Sequence, residues 1–168
     1  MFPDHWASPE HLHVALNHVP LIGGAAAALP LLVGLVAGCR TTVLAGLFLA
    51  VVACGSVALV MSTGERAEER LHSVHADLVD EGGMAAMETH EARAHLWSKL
   101  TYAVAGIAGV GVVAALLFRR AVRPIAAVVL LACIANTAAL VWVAASGGEI
   151  RHPEFRPPQA DADAGAVD

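Results

Sequence analysis

Four long runs without a charged residue constrain this chain more than any other feature of its sequence. They cover residues 19–39, 41–63, 100–118 and 125–148. Each run is about as long as the roughly 20 residues that a helix needs to cross the hydrocarbon core of a bilayer. Hydrophobic residues make up 57% of the chain and charged residues 15%, which would leave a soluble domain with too much exposed apolar surface. We therefore predict an all-α fold, an integral membrane four-helix bundle.

The domain organisation follows from these runs and from the residues between them. One transmembrane domain is predicted over residues 1–156, followed by a disordered tail over 157–168, which is rich in Pro, Ala and Asp. The outer loop 64–89 is predicted to contain a short amphipathic surface helix, because Ser62 and Glu65 have the spacing of a capping box. Since no basic region precedes an apolar segment at the start, we expect the first helix itself to direct insertion. The four helices are predicted at about 9–38, 41–63, 90–118 and 123–146.

Arginines in the two short connections predict the orientation of the helices. Arg40 lies between helices 1 and 2, and Arg119, Arg120 and Arg123 lie between helices 3 and 4, with no acidic residue in either connection. Arginine and lysine are retained on the cytoplasmic side of a membrane. We therefore expect both termini outside, an N-out/C-out topology, with all fifteen acidic residues and all nine histidines toward the outer face.

Helix 1 carries histidines at an unusual depth for a membrane helix. His11 and His18 are seven residues apart and share one face, whereas His13 and Asn17 share another face one turn apart. Pro20 removes one backbone hydrogen bond and is expected to kink the helix near His18. With a rise of 1.5 Å per residue, His18 lies roughly 13 Å from the helix start. Ionisable groups at such depth are functional candidates, and His18 is the strongest of them.

The ends of helices 3 and 4 add further polar groups on the same side. Glu91 and His95 are four residues apart, so the carboxylate is expected to fix the tautomer of the imidazole. Helix 4 carries Asn136 near its middle, where an interhelical hydrogen bond is expected. After helix 4, Gly147 and Gly148 predict a flexible turn that folds the next histidine, His152, back over the outer mouth of the bundle.

Several familiar cofactor motifs are missing from the sequence. There is no Cys-x-x-Cys-His for covalent haem attachment. His90-Glu91 with His95 is not the metalloprotease motif, because spacing of five residues turns the second imidazole away from the first. Glu69 and His72 match the Glu-x-x-His of di-iron bundles, but such a site needs the motif twice and only one copy exists.

The chain resembles an uncharacterised bacterial family of small four-helix membrane proteins. That family has a His-x4-His-Phe-Pro motif in helix 1, matched here by His13, His18 and Pro20 with Val19 in place of Phe, and a Gly-Gly-x-Ile-Arg-His turn after helix 4. The matched segments are residues 12–18, 63–69, 90–91 and 147–152. The resemblance implies that His13, His18, His90 and His152 form a shared pattern. It also implies a multi-pass protein of the bacterial inner (cytoplasmic) membrane with both termini periplasmic.

Imidazoles that converge over a bundle rich in Ala and Gly suit a non-covalent haem b with two axial histidines. We predict one or two haems, in an electron-transfer subunit rather than a self-contained enzyme. It would connect a periplasmic redox partner, or other subunits of a membrane complex, to the quinone pool within the same half of the bilayer. Partners are membrane lipid and these proteins, with no nucleic acid. Axial candidates are His13, His18, His90 and His152, with His95 and His11 as further cofactor-binding residues and Glu91, Asn17 and Arg151 as supporting groups.

Two other classes remain open from the sequence. The first is a cofactor-free anchor subunit of a larger electron-transport complex, in which the histidines form polar contacts with partners. The second is a copper- or zinc-binding membrane protein, for which histidine is a suitable ligand. An optical spectrum separates these classes, since haem alone predicts a Soret band that changes on reduction.

Overall fold

The computed structural model describes residues 8–74, 79–118 and 120–157, and these residues form helices without any strand. A short 3-10 helix, Pro153–Phe155, follows the last α-helix. The α-helices are α1 (Pro9–Leu16), α2 (His18–Ala37), α3 (Arg40–Gly55), α4 (Val57–Val74), α5 (Glu81–Leu117) and α6 (Val122–Glu149).

Four helical segments are long and apolar enough to cross a membrane. α1 and α2 together form the first segment, α3 and α4 form the second, and α5 and α6 are the third and fourth. The prediction of an all-α chain with four such helices is therefore confirmed. The arrangement is that of a multi-pass membrane protein.

Two of these segments are interrupted, and each interruption has a local cause. α1 ends before Asn17 because Pro20 has no N–H to donate to the carbonyl of Leu16. The helix is interrupted at Asn17, one residue before His18, while Asn17 keeps helical backbone angles, and the kink predicted there stays a prediction. α3 ends at Gly55, where the Ser56 hydroxyl donates to the Ala53 carbonyl at 2.6 Å, a side-chain contact that bends helices.

Between these breaks and the connection that joins α2 to α3, the bundle is closely packed. α2 lies against α3 and α6, and α5 lies against α3 and α6. Glycines bring the α2 and α3 backbones together: a Cβ added at Gly46 would lie 2.9 Å from the Leu31 nitrogen. We call this the arginine end, since it carries Arg40, Arg120 and Arg123, and the Arg40 guanidinium donates to the carbonyl of Ala115 at 2.6 Å.

On the other side of the breaks, where α1 and α4 lie, the helices separate into two pairs. α1 packs on α4 and α5 packs on α6, whereas α4 and α5 make few contacts with each other. We call this the histidine end, because the described histidines lie on α1, α4 and α5, at the first residue of α2 or just after α6. The separation leaves a space between the two pairs.

The element boundaries differ from the predictions at three places. No separate surface helix begins near Ser62, because its hydroxyl donates to the Leu59 carbonyl and α4 continues unbroken to Val74. α5 starts at Glu81 rather than at about 90, since the Asp80 carboxylate accepts from the Gly83 N–H at 2.8 Å as an N-cap. α6 runs through Gly147 and Gly148, where a turn was predicted. All but the first residue of the predicted tail 157–168 lies outside the described residues.

Candidate cofactor site

A cavity of about 1040 Å³ lies between the two helix pairs at the histidine end. Its volume is at the upper end of the roughly 300–1,000 Å³ typical of ligand pockets. Most of the predicted site residues line it. These are His11, His13, Asn17, His18, His90, Glu91, His95 and Arg151.

His13 reaches from α1 to the facing helix α4. Its Nδ1 lies 3.1 Å from the carbonyl oxygen of Val60. Because a carbonyl only accepts, Nδ1 carries the proton and Nε2 keeps its lone pair. The ring lies against Gly64, where an added Cβ would be 2.9 Å from the His13 Cε1. Gly64 therefore makes the space that the imidazole occupies.

His90 repeats this arrangement on the other helix pair. It extends from α5 to α6 and is half-buried, with its Nδ1 3.0 Å from the Val143 carbonyl oxygen and 3.3 Å from the Ser146 hydroxyl. A Cβ added at Gly147 would lie 3.1 Å from the His90 Cε1. Again the backbone carbonyl fixes the tautomer, and a glycine of the neighbouring helix leaves room for the ring.

His13 and His90 are thus matched imidazoles from opposite walls of one cavity. Both rings line the space between the two helix pairs. In each ring Nδ1 is engaged by a carbonyl and Nε2 is the nitrogen with a lone pair to offer. This is the orientation that protein carbonyls impose on histidines that bind metals.

The other helix 1 candidates are held less firmly. His18, at the start of α2, lines the cavity but is exposed, and its Nδ1 lies 3.0 Å from the carbonyl of Val14, four residues earlier in α1. His11 is exposed beside the Ser8 hydroxyl at 3.3 Å. Asn17 occupies the break between α1 and α2, and its Oδ1 is buried without a hydrogen-bond partner among the described residues.

The predicted pairing of Glu91 with His95 is present. Oε1 of Glu91 lies 3.5 Å from Nε2 of His95, and both residues line the cavity. Glu68 of α4, which the sequence did not single out, lines the same cavity as Glu91. Two features of the sequence indicated Glu68. It follows Gly64 by four residues on one helix face, and it lies within segment 63–69, which matches the family described above.

His152 does not join the other histidines. Because α6 continues through both glycines, His152 lies beyond its end, exposed, with Nδ1 3.0 Å from Oε1 of Glu154. Its ring stacks on Phe155 at a centroid distance of 5.0 Å. The structure therefore differs from the predicted fold-back over the bundle mouth, and only the preceding Arg151 lines the cavity.

Arg156 fastens the segment that follows α6. Its guanidinium donates to the carbonyls of Glu149 and Ile150 at 2.8 and 3.0 Å and to Oδ2 of Asp80 at 2.7 Å. The Arg156 guanidinium also holds the pKa of the Asp80 carboxyl below its usual range. One side chain thus joins the end of α6 to the N-cap of α5.

Within the described ranges, no three or more His, Cys, Asp or Glu side chains are grouped as ligands of one metal ion. A haem iron needs only one or two protein ligands. Comparisons of the chain with protein-family models, with curated proteins and with solved structures found no match. The site must therefore be interpreted from its own geometry.

Proposed function

We propose that this protein is a membrane b-type haem protein that carries electrons between a periplasmic redox partner and the quinone pool. The observation that carries the proposal is the matched pair His13 and His90, whose Nε2 atoms remain available while backbone carbonyls hold Nδ1. His13 is better supported than His18 as an axial ligand, because its hydrogen bond crosses to another helix and fixes the ring.

The cavity fits a flat, largely apolar group held by two imidazoles. Gly64 and Gly147 have no side chain where the two rings lie, so each histidine can stand close to the neighbouring backbone. Val60, Met61 and Met87 contribute apolar walls. When bound, haem would supply a one-electron redox couple, which the protein tunes through ligands, hydrogen bonds and burial.

The chain's own residues then hold and orient this group. The Val60 and Val143 carbonyls keep both imidazoles in the tautomer that a metal requires and raise their basicity. His11, His18 and His95 line the same cavity and would lie near the carboxylates of the cofactor, a quinone or a second haem.

We further propose that the histidine end faces the periplasm and the arginine end faces the cytoplasm, in the inner membrane of a bacterium. Arginine retention on the cytoplasmic side supports this orientation. The acidic residues that the structure describes lie toward the histidine end, so a redox partner with a basic docking patch is favoured there. Such a site exchanges electrons with quinone in the periplasmic half of the bilayer.

An optical spectrum tests the proposal directly. The full chain, purified in detergent from cells supplied with haem, is expected to show a Soret band that changes on reduction. His13→Ala and His90→Ala should each lose most of the haem, measured per protein by pyridine haemochrome. His152→Ala is the matched control and should retain it, because His152 lies outside the cavity.

Two results would contradict the proposal. One is a wild-type protein without a Soret band, which would favour a cofactor-free anchor. The other is full haem with an unchanged spectrum in both His13→Ala and His90→Ala. If His18→Ala alone abolished haem binding, the iron would be assigned to His18 instead of His13.

A further inference from the structure

Two buried cysteines meet in the middle of the bundle, below the cavity. Cys54 of α3 and Cys133 of α6 are both 0% exposed and are not joined in a disulfide. Cys133 shares one face of α6 with Asn136 and Thr137, and the polar atoms of those two side chains lie around the same gap at Gly24 as the Cys54 thiol. The two cysteines are therefore on facing sides of α3 and α6. A facing pair of thiols is a soft ligand set that suits a monovalent metal ion such as Cu(I).

Unpartnered polar groups surround the same point. Asn136 is 0% exposed and its Nδ2 has no hydrogen-bond partner among the described residues, although Thr101 donates to its Oδ1 at 2.7 Å. The Thr137 hydroxyl is likewise buried without a partner in the described chain. Since a buried donor without a partner is costly, this position in an apolar bundle calls for a ligand.

Gly24 shows that these groups converge on one small space. A Cβ added at Gly24 would lie 3.8 Å from the Thr137 Oγ1, 3.9 Å from the Asn136 Nδ2 and 3.9 Å from the Cys54 Sγ. The thiol and two potential donors therefore face the gap that the missing side chain leaves. The Thr101 bond to Oδ1 turns the Asn136 amide so that Nδ2 points into this gap.

We propose that Cys54 and Cys133 form a Cu(I) site at the centre of the bundle. On binding, two S–H bonds break, two Cu–S bonds form and two protons leave to water, with no electron transferred. The resulting complex carries one net negative charge. Asn136 Nδ2 and the Thr137 hydroxyl are the donors that would stabilise this charge in a low-dielectric interior.

The cavity offers a route by which a soft ion could reach this site. Met61 and Met87 line the cavity, and thioethers are soft ligands for Cu(I). Met61 lies seven residues beyond Cys54, about two helical turns farther toward the histidine end. The proposed thiol site shares no residue with the proposed haem site, so either can fail without the other.

Anaerobic titration of the full-length, haem-free protein with Cu(I), in competition with a chromophoric Cu(I) chelator, tests the proposal. The wild type is expected to bind one Cu(I) at the thiols. Cys54→Ser and Cys133→Ser should each weaken this binding by more than about a hundredfold, because even changes beyond the ligands cost 10- to 100-fold in metal affinity. Cys39→Ser is the matched control, since the third cysteine is exposed at the arginine end.

X-ray absorption of the Cu(I)-loaded wild type keeps the test independent of whether the variants fold. Two sulfur scatterers per copper support the site. Nitrogen scatterers alone would place copper on the cavity histidines and overturn it. Affinity unchanged in both Cys54→Ser and Cys133→Ser would overturn it as well.

Discussion

The two ends of the bundle are built from the same four chain segments but pack in opposite ways. At the arginine end, Gly46 lets the backbones of α2 and α3 approach, and the interior is filled by small and aliphatic residues such as Ala50 and Leu47. At the histidine end, the helices form two separate pairs around a cavity of about 1040 Å³. Glycines serve both ends: in the first they admit a neighbouring backbone, in the second they admit an imidazole.

The effect of adding a side chain at a glycine therefore depends on which atoms occupy the space where its Cβ would lie. A backbone neighbour cannot move without shifting a whole helix, whereas the tip of a histidine ring can rotate away. The same chemical change should therefore be costly at the arginine end and cheap at the histidine end.

Replacing a glycine by alanine at each end tests this difference in packing, and we expect the largest effect at the arginine end. In Gly46→Ala the new methyl group would lie 2.9 Å from the Leu31 nitrogen and 2.8 Å from its Cγ, so we expect destabilisation by about 1–3 kcal/mol, the usual cost of overpacking. In Gly64→Ala the three atoms nearest to the new methyl group all belong to the His13 ring, with Cε1 at 2.9 Å, so the loss should be smaller. Unfolding in mixed micelles followed by circular dichroism measures both.

Gly106→Ala is the control for helix propensity, because nothing lies within 4 Å of the position of its added Cβ. It should be neutral or slightly stabilising. Equal losses in Gly46→Ala and Gly64→Ala would refute the distinction between the two ends.

A smaller effect is expected near the helix breaks, where the closely packed arginine end meets the histidine end. Thr101→Val removes the 2.7 Å hydrogen bond to Asn136 while keeping the shape of the side chain. Hydrogen bonds between membrane helices contribute about 0.6 kcal/mol on average, so a loss of that order is expected in the metal-free protein. Thr137→Val is the matched control, since the Thr137 hydroxyl has no partner in the described part of the chain. A loss as large in Thr137→Val would contradict this assignment.

The sequence predicted the closely packed part of the bundle, toward the arginine end, better than it predicted the histidine end. The apolar runs and the Asn136 hydrogen bond were both predicted, because each depends on local composition or on one residue type. The mutual approach of Cys54 and Cys133 was not, since it depends on which faces of α3 and α6 meet. Helix-face arguments alone do not fix that choice.

The histidine end was predicted less well for a related physical reason. His13, His18 and His90 do line one cavity, but His152 does not, because two glycines compatible with a turn are also compatible with a continued helix. Asp80 and Arg156 decide the outcome: the first caps α5 and the second binds the last carbonyls of α6. Neither contact is visible in hydrophobic periodicity.

The smallest expected effect concerns this Asp80–Arg156 contact, which holds α5 and α6 together where the bundle is open. Asp80→Asn keeps a good N-cap acceptor but removes the charge that Arg156 contacts at 2.7 Å. We expect faster amide hydrogen exchange in the first turn of α5 and the last turn of α6, with no change at the arginine end. Glu154→Gln is the control, because no hydrogen bond joins Glu154 to Arg156 in the described structure.

Acidification should reproduce the effect of Asp80→Asn in the wild type, and the sign follows from the pKa of Asp80. The Arg156 guanidinium lowers that pKa in the folded protein, so the contact contributes its full stability above the unfolded value of about 3.9 and loses it as pH falls through the folded value. Because the intrinsic rate of amide exchange itself falls in acid, protection factors are compared rather than raw rates. Protection at the start of α5 should therefore fall in acid in the wild type but not further in Asp80→Asn. If both proteins lost protection alike, another group would control this end. If protection fell equally at the arginine end, the two ends would unfold as one unit.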